Sequence, residues 1–351
     1  MHARTVLLFL LMIVATPLSA RNKTDVLVMN NGDRMTCEVK GLDGGVLFVS
    51  FDYIDGTTSV DWSKVARLES TQLFVVKVAD GSVYTGKIKT PATAAEQPVQ
   101  IQVLESPELQ PLIERGQIVQ MIATSDKVWQ RFNGAFSLGV IYSKGNQSAQ
   151  YSLGSELNYV RERWGAEALF DSNLSTSSGS NASTRNSLNA NAFRLLPTNN
   201  WFYSGLGTFL QSSEQSIVLQ STVGGGVGRF LQNTNRARIS VLGGLAWQNT
   251  HYNPAPSGLT NTNIASALIT AEAKMFKFSK TNLNLSAALL PALSEPGRVR
   301  FNADATYYVK IFSDLKWNVS FYGNWDNRPP PTFSGSDYGT SSGLSWTFGL
   351  K

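Results

Sequence analysis

Residues 236–248 read Arg-Ala-Arg-Ile-Ser-Val-Leu-Gly-Gly-Leu-Ala-Trp-Gln, and this stretch decides the fold. Apolar residues recur at every second position: Ala237, Ile239, Val241, Leu245 and Trp247. Polar residues occupy positions between them: Arg236, Arg238, Ser240 and Gln248. Because successive side chains of a strand point to opposite faces, this period of two predicts a β-strand with one apolar face.

Segments with the same alternation fill the chain from Phe132 to Leu350. They are longer than the roughly five or six residues of a typical globular strand. We predict about twelve strands, at residues 132–143, 149–160, 164–175, 185–196, 201–211, 219–231, 236–249, 264–276, 281–290, 298–312, 315–326 and 338–350. Long alternating strands separated by turn residues are typical of a transmembrane β-barrel of the bacterial outer-membrane type. The predicted fold class is therefore all-β, with an antiparallel barrel.

Two further features favour a barrel in lipid over a sandwich in water. Aromatic residues collect toward segment ends, as at Trp164, Trp201 and Trp317, and match the girdles found at membrane interfaces. Connections after even-numbered strands are tight, whereas those after odd-numbered strands, such as residues 252–263, tend to be longer. Short periplasmic turns and longer external loops are typical of such barrels, so both termini are expected in the periplasm.

The two ends of the chain carry export features. Residues 1–20 combine His2 and Arg4 with an apolar run and a small residue, Ala20, which predicts a cleaved secretory signal. The final segment alternates up to Leu350 and resembles the signal read by the barrel-assembly machinery, although the chain ends on Lys351 rather than on an aromatic residue. We therefore expect the outer membrane of a Gram-negative bacterium.

The N-terminal region contains a repeat. Residues 28–40 and 77–89 each place an Asn-Gly or Asp-Gly pair between two alternating runs. Such a pair predicts a β-hairpin with a type I′ turn, which needs positive φ at both central positions. Each copy then ends in a similar segment, at residues 62–68 and 115–121. We predict a periplasmic domain of two Sm-like or SH3-like β-units over residues 25–122, and a linker over 123–131 before the barrel of 132–351.

Two residues of this region invite a role beyond packing. Trp62 could stack on a ligand, but a single Trp beside Val60 and Val65 favours a core position. Cys37 is the only cysteine, which excludes an intramolecular disulfide, and a small buried residue is favoured over a reactive thiol.

The composition bears on the class of partner. The hydrophobic fraction is 42% and the charged fraction 16%, which is low for a protein in water. The net charge of +5 comes from scattered residues without a basic run, so no nucleic-acid partner is predicted.

The inward face of the predicted barrel carries charges of both signs. An Arg or Lys on the lipid face costs about 2–4 kcal/mol at the membrane midplane, so charged residues are expected to face the lumen. The candidate lumen charges are Glu156, Glu167, Asp171, Arg236, Arg238, Glu272, Lys274, Asp304, Lys310 and Lys316. This mixture fits either a plugged, salt-bridged interior or a narrow wet pore, and a structural role is favoured.

The sequence offers little for catalysis. His251 is the only histidine after residue 20 and is a weak catalytic candidate, because the chain lacks a Gly-x-Ser-x-Gly elbow. Glu167 and Asp171 share a strand face more than about 10 Å apart, too far to share a proton. One His and one Cys do not provide a metal site. We predict no enzyme activity, no metal and no cofactor.

The sequence resembles the YdiY-like family of salt-induced outer-membrane proteins, whose barrel domain has no known function. The resemblance covers about residues 129–351, through Phe136-Ser137-Leu138-Gly139, residues 143–146 and residues 344–350. Residues 31–36 and Val60-Asp61-Trp62 also resemble the N-terminal segment of many members. Members usually have Gly where this chain has Cys37, which fits a packing role. The family has no established catalytic residues to carry over.

Three functions are compatible with the sequence. The leading hypothesis is a non-enzymatic barrel acting in envelope integrity or stress, or in passive transport of small solutes. The second is an outer-membrane hydrolase that modifies lipid or glycan and uses His251. The third treats the barrel as an anchor for a periplasmic binding module. Expected partners are outer-membrane lipid and lipopolysaccharide, the assembly machinery, and peptidoglycan or an envelope protein at the N-terminal domain.

Overall fold

The computed structural model describes residues 23–91, 100–104, 111–124, 132–143, 148–161, 163–177, 181–196, 199–253, 261–277, 281–312, 315–329 and 334–348. The predicted signal segment, most of the linker and the final residues Leu350 and Lys351 lie outside these ranges. Among the described residues, no helix has the length and apolar character needed to cross a membrane.

The N-terminal domain contains nine strands. They are β1 (Asp25–Met29), β2 (Arg34–Asp43), β3 (Val46–Phe51), β4 (Ile54–Asp61), β5 (Val65–Val78), β6 (Val83–Lys89), β7 (Gln100–Leu104), β8 (Leu112–Glu114) and β9 (Ile118–Ala123). Short 3-10 turns at Trp62–Lys64 and Arg115–Gln117 precede β5 and β9. The same order of elements therefore occurs twice.

Strand β5 joins the two copies. Its first half pairs with β1, which closes the first copy, and its second half pairs with β6 and β9 of the second copy. Strand β9 also pairs with β2, from Gly41 to Asp43. The copies thus form one nine-stranded sheet that curves around a common core. Sharing a core explains how such small units are stabilised, because a lone unit would bury little apolar surface.

The two predicted hairpins are present, but the predicted type I′ turn is wrong. Gly32 and Gly81 have φ of 91° and 92°, whereas Asn31 and Asp80 are absent from the described non-glycine residues with positive φ. The Gly32 and Gly81 amides donate to the carbonyl oxygens of Met29 and Val78 at 2.9 and 3.0 Å. This is a three-residue loop with glycine at its left-handed position.

The core of the N-terminal domain accounts for Trp62 and Cys37. Trp62 is 2% exposed, and its Nε1 donates to the Arg115 carbonyl oxygen at 2.9 Å, so it is a core residue and cannot stack on an external ligand. Cys37 is fully buried beside Leu27 and Val39. Burial, with the negative charges of Asp25 and Glu38, raises the pKa of the Cys37 thiol to about 12, so it is unreactive at neutral pH.

The rest of the chain forms a closed barrel of twelve antiparallel strands. They are β10 (Phe132–Ser143), β11 (Ser148–Val160), β12 (Trp164–Thr176), β13 (Ser183–Leu195), β14 (Trp201–Ser212), β15 (Ile217–Asn233), β16 (Ala237–Tyr252), β17 (Asn261–Lys277), β18 (Thr281–Pro291), β19 (Val299–Phe312), β20 (Leu315–Asp326) and β21 (Ser336–Phe348). Pairing of β10 with β21, from Gly134↔Phe348 to Leu138↔Leu344, closes the ring. The predicted fold class is confirmed.

The outer surface of the barrel is apolar. In β16, Val241, Leu245 and Trp247 are exposed, while the alternate residues Leu242 and Gln248 are buried inside the barrel. The same parity continues around the ring, from Leu138 in β10 to Trp317 in β20 and Trp346 in β21. A continuous exposed band of this kind marks a surface that another apolar phase covers.

Candidate functional site

The barrel has two mouths. We call one end of the barrel the inner mouth; here β10 begins and β13, β15 and β17 end. The opposite end is the outer mouth. The N-terminal domain lies against the inner mouth, and three asparagines of the barrel contact its backbone. Asn200 donates to the Ala79 carbonyl oxygen at 2.8 Å, and Asn235 donates to that of Ile118 at 2.8 Å. Asn233 reaches the Val78 carbonyl oxygen at 3.5 Å.

An ion pair adds to these hydrogen bonds. The Arg238 guanidinium lies 2.8 Å from Asp43 of the β2–β3 corner, and the same nitrogen donates to the Val119 carbonyl oxygen at 3.1 Å. Elsewhere along the rim, Lys310 donates to the Ser59 hydroxyl at 2.9 Å. The contacts extend from the turn before β14, through β15 and β16, to β19, so the domain spans the mouth rather than touching one edge.

The turn between β2 and β3 comes closest to the barrel. Gly44 and Gly45 have φ of 56° and 75°, a backbone conformation that is unfavourable for residues with a Cβ atom. A Cβ on Gly44 would lie 2.7 Å from Cγ of Phe276, and one on Gly45 would lie 3.4 Å from Cβ of Asn235. Glycine is therefore required at position 44, both for the turn and for the close approach to Phe276, whereas a Cβ at position 45 needs only a small shift of Asn235.

Lys77 lies at the same interface. Its Nζ is 5.8 Å from the centre of the Phe193 ring. Burial, helped by the positive charge of Arg238, lowers the pKa of the Lys77 ammonium to about 8, and Asp43 partly opposes both effects. Asp43 thus faces two cations, and the interface is sensitive to charge.

Within the lumen, side chains from distant strands meet. Lys274 on β17 lies 3.6 Å from Glu167 on β12, and Arg185 on β13 lies 2.8 Å from Asp337 on β21. Neither pair joins neighbouring strands, so both cross the interior. The interior still has room for water, since the Lys274 side chain remains 38% exposed.

Most of the predicted lumen charges occupy strand positions whose side chains face the lumen. Glu156 accepts from Asn158 at 2.7 Å, and Glu272 neighbours Lys274. Asp171 and Asp304 both lie within electrostatic reach of Arg185. Lys316 pairs in register with Lys310 and lies near the Tyr308 ring. Arg238 and Lys310 sit at the inner mouth, in contact with the N-terminal domain.

One predicted lumen charge is placed wrongly by the sequence. Arg236 lies in the turn before β16, which begins at Ala237, and it is exposed. Its carbonyl oxygen accepts from the Phe276 amide at 2.9 Å, as part of the turn. The alternation continues past the end of the strand, and residue parity alone does not show where the barrel wall stops.

Sequence reasoning also missed several lumen residues. Arg185 lies an even number of positions from Asn189 on β13, and Arg300 an even number from Asp304 on β19, so all four face the lumen and alternation could have identified both arginines. Asp337 lies before the start of the strand predicted from the sequence. An apolar cluster lines one side of the lumen: Phe202, Leu242, Ala246, Leu268 and Leu290, with Phe193, Leu206 and Phe230 packed against it. The lumen is therefore part apolar and part charged.

The described residues show no catalytic arrangement around His251. It is exposed near the outer end of β16 and shares the outward parity of Trp247. In the parts of the chain that the structure describes, no group of three or more His, Cys, Asp or Glu residues could hold a metal ion.

The family model described as "Protein of unknown function, DUF481" matches residues 136–348. The chain belongs to this family. The DUF481 match covers strands β10–β21 almost completely, so the barrel is the family's domain and the N-terminal repeat lies outside the matched region. The resemblance drawn from the sequence is confirmed. No curated protein matches the chain.

Solved structures with some similarity are barrels. The translocator domain of the autotransporter NalP from Neisseria meningitidis is 14% identical, with a TM-score of 0.31; the match covers 62% of this chain and 87% of that one. A porin is 9% identical, with a TM-score of 0.27 and coverage of 92% and 98%. CdiB from Acinetobacter baumannii is 7% identical, with a TM-score of 0.34 and coverage of 74% and 65%. These values are too low to bear on function.

Proposed function

We propose that this protein is an outer-membrane barrel that holds its N-terminal β-domain as a cap over the periplasmic mouth. The barrel serves as the anchor, and the cap presents its far side to the periplasm. The protein acts as a structural or binding component of the envelope and catalyses no reaction. The observation that carries the proposal is the set of contacts across the inner mouth, centred on Asp43 and Arg238.

The membrane location is supported by the outward band of apolar side chains, which only lipid would cover on all sides. The inner mouth is assigned to the periplasm because the tight turns lie there and most connections at the outer mouth are longer. The export signal predicted for residues 1–20 is consistent with the same route. With this orientation, the N-terminal domain lies on the periplasmic side, within reach of peptidoglycan or envelope proteins.

A second candidate function is passive transport of small solutes, with the cap as a gate. It is favoured by the polar contacts across the interface, which include asparagine hydrogen bonds and an ion pair with partly exposed side chains. Such contacts exchange readily with water, so the cap can separate from the barrel without exposing a large apolar surface. A hydrolase has no comparable support, because His251 stands apart from the lumen.

A disulfide across the interface tests the proposal. We expect the double variant Gly45→Cys with Asn235→Cys to form a disulfide in the periplasm, because the two Cβ positions lie 3.4 Å apart, close to disulfide geometry. The disulfide is detected with a protease site placed within residues 125–131, between the two domains. After cleavage, the two fragments should stay covalently joined until a reductant is added. Cys37 does not interfere, since it is fully buried.

The matched control is Gly32→Cys with Asn235→Cys. Gly32 also has positive φ, but a Cβ there meets nothing within 4 Å. This control should remain uncrosslinked under the same conditions. Equal cross-linking of both pairs, or of neither, would mean that the domain does not sit on the inner mouth.

A further inference from the structure

A small recess of about 50 Å³ opens inside the outer mouth of the barrel. It lies at the opposite end of the lumen from the capped mouth, between β14–β16 on one side and β18–β20 on the other. Polar side chains dominate its wall, among them Gln220, Gln248, Arg300, Asn302 and Asn324. The recess is separate from the contacts on which the proposed function rests, so its occupancy does not depend on the docked cap.

Arg300 is the unusual residue of this wall. It is 5% exposed, and its Nη2 donates to the Ser266 hydroxyl at 2.9 Å. Within the described part of the chain, its Nε and Nη1 are buried without any hydrogen-bond partner. A buried guanidinium whose N–H groups lack acceptors is costly, because both its charge and its N–H groups have been removed from water. Something outside the described residues is needed to offset this cost.

The neighbouring carboxylates do not supply that partner. Both oxygens of Asp326 accept from Arg298, at distances from 2.6 to 3.2 Å, and Glu295 binds Arg298 at 2.8 Å. Asp326 lies opposite Arg300 in the strand register, but its oxygens are engaged by Arg298. The buried carboxylate opposite Asn324, Asp337, is likewise engaged, by Arg185 at 2.8 Å. Arg300 therefore has nearby negative charge but no acceptor for two of its nitrogens.

A second unpaired donor lines the same recess. The Nδ2 of Asn324 is buried and has no partner among the described residues. Asn324 pairs in register with Asn302, the next inward residue after Arg300 on β19. By contrast, the side-chain amides of Gln220 and Gln248 are already engaged with Thr250, at 3.2 and 3.0 Å. The donors left over are thus a guanidinium and an amide.

We propose that the recess is a binding site for a small anion with several oxygen acceptors, a carboxylate or a phosphate, held by Arg300 and assisted by Asn324. Ionic acceptors of this kind form the strongest hydrogen bonds with guanidinium groups. The site faces the lumen and not the lipid, so the anion comes from water at the outer mouth and is not a phospholipid headgroup.

Calorimetric titration of the purified full-length chain with inorganic phosphate and, separately, with sodium acetate tests the site. We expect at least one of the two anions to bind, and Arg300→Met to weaken that binding by about tenfold or more. Arg300→Lys keeps the charge and should retain part of the affinity. The matched control is Arg236→Met, which removes an exposed arginine from the other end of the barrel and should leave binding unchanged.

Thermal unfolding distinguishes a variant that has lost anion binding from one that has lost its fold. Removing an unpaired buried charge should not lower the Tm in zwitterionic buffer, and the bound anion should raise the Tm of the wild type but not of Arg300→Met. Addition of phosphatidylglycerol to the micelles should not displace the anion. Wild-type protein that takes up neither anion, an unchanged affinity in Arg300→Met, or displacement by phosphatidylglycerol would overturn the proposal.

Discussion

At the scale of single residues, Trp62 shows how the N-terminal domain is held together. Its ring fills the centre of a core shared by both copies of the repeat, and its indole N–H satisfies the Arg115 carbonyl of the second copy. A residue of the first copy thus bonds the short turn that closes the second. The side chain contributes both apolar burial and a hydrogen bond between the copies.

We predict that Trp62→Ala lowers the unfolding free energy of the N-terminal domain by about 3–5 kcal/mol, because it leaves a large cavity. Trp62→Phe should cost less, about 1–2 kcal/mol, mainly through the unpaired Arg115 carbonyl. Hydrogen exchange of the β1 and β5 amides in the full-length chain reports both values. As a control, Tyr53→Ala should change exchange little, since Tyr53 is 72% exposed. Unchanged protection in Trp62→Ala would contradict a core role.

Asp43 and Arg238 are the residues that link the two domains by charge. Asp43 attracts both Arg238 and Lys77, whereas Arg238 attracts Asp43 but repels Lys77. Loss of Asp43 removes the attraction to Arg238 and leaves Arg238 facing Lys77 without a balancing charge. Loss of Arg238 removes the attraction to Asp43 and the hydrogen bond to Val119, but it also removes the repulsion of Lys77. The two side chains are not equivalent, although they form one ion pair.

We predict that Asp43→Asn weakens docking of the cap more than Arg238→Gln does. The coupling between the two sites should be about 1 kcal/mol, because both side chains are partly exposed to water. The rate of disulfide formation between cysteines introduced at positions 45 and 235, measured in each background, gives the comparison. An equal or larger effect of Arg238→Gln would show that Lys77 does not share the interaction.

At the scale of elements, β5 and the turn between β2 and β3 bring the cap against the barrel. Strand β5 carries Lys77 to the interface, close to Phe193 of β13. In the docked state the Lys77 pKa is about 8, compared with 10.5 for a free lysine. Between these values, the undocked domain binds more protons than the docked one.

Docking should therefore strengthen as the pH rises from about 8 toward 10.5, and it should be weakest and constant below that range. The expected gain is at most about tenfold per pH unit, reduced by solvent near the half-buried side chain. The ratio of disulfide formation rates between wild-type and Lys77→Met backgrounds removes the pH dependence of the thiol chemistry. A ratio that stays constant from pH 7 to pH 10.5 would contradict burial of Lys77 by docking.

The elements themselves were largely predictable. Alternation placed all twelve barrel strands, and no boundary differs by more than three residues, the largest differences being at the end of β16 and the start of β17. The hairpins at Gly32 and Gly81 followed from local sequence, but their turn type did not. Asn31 and Asp80 avoid positive φ, whereas Asn199 and Asn200, with φ of 56° and 60°, adopt it. Dipeptide composition indicates that a turn exists more reliably than it indicates its geometry.

At the scale of the whole molecule, the cap was not predictable. Asn200, Asn233 and Asn235 are ordinary turn residues in the sequence, and their role depends on a surface formed by a separate domain. The cross-lumen pairs depend equally on ring closure, since Arg185 and Asp337 are 152 residues apart. The adjacent glycines at 44 and 45 were the one local sign of a close approach. Periodicity reports which face a residue occupies but not what lies opposite.

The central claim is that the N-terminal domain closes the inner mouth of the barrel, and planar-bilayer conductance tests it most directly. We predict no steady open-channel current for the wild-type chain or for the oxidised double variant Gly45→Cys with Asn235→Cys. Asp43→Lys places a third cation beside Arg238 and Lys77, so it should release the cap. The resulting currents should be small, because the cross-lumen pairs limit them. A large steady current through the wild-type chain, or equal currents in wild type and Asp43→Lys, would contradict the claim.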